Sequence, residues 1–149
     1  MNKNTPPPTQ EQIDRLTKLA NEENASAQFN LGIAYENGWG VKQELTEEER
    51  FKKAVEWYEK SAEQENASAQ FNLGGMYNNG NGVKQSYEKA VYWWEKSAEQ
   101  GYADAQFNLG VCIKLVKVLN RVTKKRLNGM KNPQTKEMRM HNITLGLCM

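Results

Sequence analysis

The chain has 149 residues, 38% of them apolar and 26% charged, with four Trp, six Tyr and four Phe. That suffices for one domain with a core and is too little for two ordinary ones, and the aromatic content argues against wholesale disorder. The net charge of +2 conceals a division: residues 1–110 carry 11 basic and 17 acidic side chains (net −6), whereas residues 111–149 carry nine basic and one acidic, Glu137 (net +8).

Residues 1–8, ending in Pro6-Pro7-Pro8, read as a disordered arm. They contain no apolar signal region, and no apolar run approaches a membrane span, so the default expectation is a cytoplasmic chain without a membrane partner. A first helix is expected over 9–22, opened by the capping-box pair Thr9 and Gln12. A second is expected over 25–36, where Ala27, Leu31 and Tyr35 recur at i, i+4 and i+8 as one stripe. Gly32 sits beside that stripe. A glycine within a helix costs up to about 1 kcal/mol relative to alanine, so its presence implies that a neighbouring helix comes close. Gly38 stands where the helix would end in a left-handed turn, followed by Trp39 and Gly40.

A third helix is expected over 47–63, with Thr46 and Glu49 as its capping box. Ala54, Trp57, Tyr58, Ser61 and Ala62 share one face there, and the mix of large and small residues suits helix pairing. The pattern then begins again. The segment ASAQFNLG at 25–32 returns unchanged at 67–74, and ADAQFNLG follows at 103–110. Helices over 67–78 and 86–99 and one beginning near 103 are therefore expected. In the second copy Ala69, Leu73, Gly74, Tyr77, Gly80 and Gly82 replace the first set, and Trp93, Trp94 and Ala98 replace Trp57, Tyr58 and Ala62. Leu16 and Ala20 hold the corresponding places in the first helix, making 9–24 a half unit.

The series Ala-x-Ala-Gln-x-x-Leu-Gly-x-x-Tyr, Gly-x-Gly-Val and Lys-Ala-Val-x-Trp-Tyr/Trp-x-Lys-Ser-Ala resembles the Sel1-like repeat, a relative of the tetratricopeptide repeat. The resemblance covers about residues 25–110. It implies an all-α solenoid of antiparallel helix pairs that acts as an adaptor or scaffold for other proteins, with no cofactor. The expected layout is a half unit at 9–24, repeats at 25–66 and 67–102, and a third beginning at 103. On the first helices, Gln28, Asn30, Gln70 and Asn72 fall off the apolar stripe. Their amides could grip an extended peptide or bond between helices, and both uses stay open here. Trp39 lies in a loop where the second copy has Asn81, so the repeat does not require it, and an exposed Trp would make a binding hot spot.

After Gly110 the pattern stops. Yet when the third base of each codon is read with the first two of the next, permitted codons from Cys112 through Gln134 spell YKTGQGVKQSYEKAVEWYEKSA. Asn128-Gly129-Met130, for example, admits AAT GGT ATG, whose offset triplets TGG and TAT encode Trp-Tyr. The reading continues as GNADAQYNLG and ends in Met-Tyr. Residues from about 111 are therefore expected to be translated out of frame after a single-base loss, forming a basic tail that is partly helical or disordered from about 125. A truncated remnant with little function is the alternative that follows.

Chemical motifs are weak. Cys112, Cys148 and His141 all lie in the tail without a recognisable motif. The cysteine-rich Sel1 branch is linked to β-lactamase activity. This chain has no Cys before residue 112, so that hydrolase reading is not carried over. Lys124-Lys125-Arg126 reads as solvated charge rather than a nucleic-acid site. Glu47-Glu48-Glu49 suits a helix start, and Ser26, Ser61, Ser68 and Ser97 have no His within residues 1–110 to activate them. No metal site and no catalytic residue are expected.

Overall fold

The computed structural model describes residues 7–40 and 45–128; His141, Cys148 and the tail beyond Asn128 lie outside them, as does most of the N-terminal arm. Six helices follow in order: α1 (Gln10–Asn21), α2 (Ala25–Asn37), α3 (Glu47–Glu63), α4 (Ala67–Asn79), α5 (Tyr87–Glu99) and α6 (Ala103–Asn128). No strand occurs among the described residues. Each helix packs on the one before it and the one after it, which is the arrangement of a solenoid of helix pairs.

Local chemistry sets the boundaries. Thr9 and Thr46 both close full capping boxes, with Gln12 and Glu49 reaching back to the cap nitrogens. The backbone and side-chain hydrogen bonds from Thr46 hold the Glu49 carboxyl below its ordinary range. Asn24 and Asn66 cap α2 and α4 by accepting from the N–H of Ala27 and Ala69. Gly38 and Gly80, at φ 71° and 74°, end those helices in the left-handed region.

Helix α6 differs from α2 and α4 by having no such stop. Val116 occupies the place of Gly38 and Gly80, so the backbone runs on helically to Asn128. Residues 125–128, expected to be partly helical or disordered, continue α6, and residue 111 marks no break in the backbone.

The core forms two clusters. Ile13, Ala20, Ala27, Leu31 and Ala34 join α1 to α2. The larger cluster runs from Ile33 through Tyr58, Leu73 and Trp94 to Ala105, and so links α2 to α6. Trp39 packs against both and is half-buried. Its indole supplies apolar surface where the turn after α2 folds back, and the Trp39 backbone N–H donates to the carbonyl of Ala34 at 2.8 Å.

Candidate functional site

The repeat builds the same joint twice. Helices α2, α4 and α6 lead their pairs; α3 and α5 trail. Gly32 in α2 faces the ring of Tyr58 from α3, and Gly74 in α4 faces the indole of Trp94 from α5. Missing side chains at these glycines let large aromatics lie against the helix backbone. The Trp94 indole N–H donates to the Phe71 carbonyl at 3.1 Å, and the Tyr58 hydroxyl donates to the Glu36 carboxylate. Burial, then the charge of Glu36, drives the Tyr58 phenol far above its ordinary range. Three residues beyond each aromatic, Ser61 and Ser97 donate to the carbonyls of Ala25 and Ala67, both at 2.7 Å.

An amide ladder ties successive pairs together. Gln28 donates to the Ala20 carbonyl at 3.0 Å and accepts from Gln64 at 2.7 Å. Gln70 donates to the Ala62 carbonyl at 3.1 Å and accepts from Gln100 at 2.8 Å. Gln28 and Gln70 are both buried. Of the two uses open to them, these glutamines make the interhelical one. Gln106 repeats only the first bond, to the Ala98 carbonyl, and is exposed.

The asparagines are placed differently. Asn30 is exposed on α2. Asn72 is half-buried, and its amide donates to the Tyr58 hydroxyl at 3.1 Å, bridging α4 back to α3. Asn108 holds the same place on α6. With Ser26, Ser68 and Asp104 one helical turn earlier, they give each of the three leading helices the same polar pair, an asparagine lane in the register of the repeat. The structure does not bring Trp39 to this lane.

No group of three or more His, Cys, Asp or Glu that could hold a metal occurs among the described residues. None of the described helices is long and apolar enough to cross a membrane. Tyr77, Val83, Lys84, Gln85, Ser86 and Lys89 line an open groove beside α5. Tyr77 donates to Glu59 at 3.0 Å, and burial together with that bond raises its phenol.

Paired helices locked by a glycine notch, a serine bond and a glutamine ladder define a helical repeat protein. The Sel1 repeat model matches residues 25–66, 67–102 and 103–114, so the chain belongs to the Sel1 repeat family. Among solved structures, it is similar to a Sel1 repeat protein from Oxalobacter formigenes, with 35% identity and a TM-score of 0.61 over 70% of this chain and 41% of that one. It is also similar to a protective antigen of uropathogenic Escherichia coli that displays an SLR fold, with 32% identity and a TM-score of 0.60 over 67% of this chain and 21% of that one. The chain thus spans less than half the length of either. No curated protein matches it. Folds of this family are in general non-catalytic scaffolds suited to contacts with other proteins.

Proposed function

We propose that the chain is a non-enzymatic adaptor that docks an extended peptide segment along the leading helices. The observation that carries this is the recurrence of asparagine at 30, 72 and 108, which gives each of the three leading helices an amide at the same repeat position. An amide offers a donor and an acceptor together, the pair an extended backbone presents. The net charge of −6 over residues 1–110 favours segments with basic flanks. Trp39, packed between clusters, supports the adjoining turn rather than forming the contact.

The test is a peptide-display selection on the purified chain, counter-screened with Asn30→Arg, an exposed change. Enriched peptides that lose binding to the variant support the reading. Peptides that bind both proteins equally, or no enrichment, overturn it.

A second reading is favoured by one observation, the repeat spelled by the offset codons after Val111. On that reading residues from about 111 are out of frame, and the chain is the remnant of a longer array with little function of its own. Thermal unfolding separates the two: a cooperative transition supports a working module, and its absence supports the remnant.

A further inference from the structure

We propose that the face of α6 carrying Phe107, Gly110 and Val111 is a berth for one further trailing helix, supplied by another polypeptide. The occupant is an amphipathic helix that presents a Trp or Tyr, then a serine three residues on, then an alanine. This surface is separate from the asparagine lane and does not rest on it.

The notch comes first. A Cβ at Gly32 would lie 2.6 Å from the Tyr58 ring, and one at Gly74 would lie 2.5 Å from the Trp94 indole. At Gly110, the third member of the series, a Cβ would meet nothing within 4 Å among the described residues. A helix with the same glycine in the same place therefore presents the same recess, unfilled among the described residues.

The flanks agree. Ile33 in α2 belongs to the larger core cluster and is 9% exposed, whereas its counterpart Val111 is 48% exposed. Phe29 and Phe71 are partly buried, and Phe107 is 71% exposed. Val118 and Val122 are also exposed and extend the stripe at the helical spacing 107, 111, 118, 122. Exposed apolar side chains at Phe107 and Val111 are what a repeat unit shows when its neighbour is missing.

The occupant follows from the joint already made twice. An aromatic enters the glycine notch, and a serine hydroxyl donates to the carbonyl that opens the leading helix. Ala103 opens α6 as Ala25 and Ala67 open α2 and α4. A second copy of this chain offers a poorer match through its own free end. In α1, Leu16 and Leu19 stand where Tyr58 and Ser61 stand in α3, so both the aromatic and the hydroxyl are lost. The offset codons, by contrast, spell KAVEWYEKSA, another helix with the aromatic, serine and alanine in register.

The probe is a fluorescein-labelled peptide copying Ser86–Gln100 of this chain, titrated with the full chain and read by fluorescence anisotropy. Saturable one-to-one binding is expected. Replacing Trp94 by Ala in the peptide weakens it by about tenfold or more, as does Gly110→Leu in the protein. Gly110 is exposed on a helix, so Gly110→Leu keeps the fold, which circular dichroism checks. Asn30→Arg leaves peptide binding unchanged, which keeps a failure here apart from a failure of the asparagine lane. Absence of saturable binding overturns the proposal, as does equal binding to Gly110→Leu. Self-association in sedimentation that Gly110→Leu abolishes assigns the face to a second copy and overturns it too.

Discussion

Gly32 and Tyr58 form a tight joint between paired helices: a Cβ on Gly32 would sit 2.6 Å from both Cδ1 and Cε1 of the ring. The ring is fully buried and cannot give way. Gly32→Ala gains about 1 kcal/mol of helix propensity but overpacks the joint, which costs about 1–3 kcal/mol. Net destabilisation of up to about 2 kcal/mol is expected from these ranges. Gly110→Ala, at the equivalent open place, keeps the propensity gain and stabilises by up to about 1 kcal/mol. Denaturant unfolding of the two variants should move their midpoints in opposite directions.

The turns between trailing and leading helices carry a strain that one repeat has relieved. Glu23 and Glu65 both hold φ at 62°, a region that disfavours side chains, while their counterpart Gly101 holds 84°. Glu65→Gly removes that strain against some added freedom of the unfolded chain. Stabilisation of about 1 kcal/mol is expected, read as a rise in the thermal midpoint. A fall would show that the Glu65 side chain makes a contact worth more than the backbone strain.

Alkaline pH should act through Tyr58. Its phenol is raised in the folded state above the ordinary tyrosine value near 10. The stability linked to the neutral phenol is therefore fully present below pH ~10 and drains away as pH climbs above it. Tyr77 is raised as well and acts in the same direction. Tyr58→Phe abolishes the larger part of this alkaline loss. At neutral pH it sacrifices the bonds to Glu36 and Asn72, roughly 1–3 kcal/mol. Unfolding followed from pH 8 to pH 11 checks both effects. Equal alkaline sensitivity in the two proteins would remove Tyr58 from the account.

Most of this architecture is legible in the sequence because the chain states it more than once. The cap pairs Thr9–Gln12 and Thr46–Glu49, and the terminal glycines Gly38 and Gly80, locate helix ends within a residue. Gly32 and Gly74 announce a close neighbour. The roles of Gln28 and Gln70 are not legible, since spacing says that an amide leaves the apolar stripe and not which carbonyl it finds. The packing of Trp39 is not legible for a related reason: its loop has no periodicity, and only the fold-back of the chain shows two clusters meeting there. The run of α6 to Asn128 is half legible. Loss of glycine at position 116 removes the stop, but helical spacing past 111 gives no end point.

Frame restoration is the most informative change to make. One base inserted beside the Val111 codon replaces the basic tail with the offset reading, YKTGQGVKQSYEKAVEWYEKSA and beyond. That sequence supplies the glycine turn after α6 and a trailing helix with its aromatic opposite Gly110. Burial of Phe107 and Val111 contributes about 1.5–3 kcal/mol each, before the entropy of ordering the new helix is subtracted. In a stacked array each added interface also stabilises its neighbours. The restored protein should therefore unfold at a higher midpoint and with a steeper denaturant dependence, because more surface is exposed when it opens. It should also stop binding the α5-derived peptide, its berth being filled from within the chain. A restored protein no more stable than this one would show that Gly110 and its flanks are not a repeat interface, and that the offset reading does not encode the missing half of the third pair.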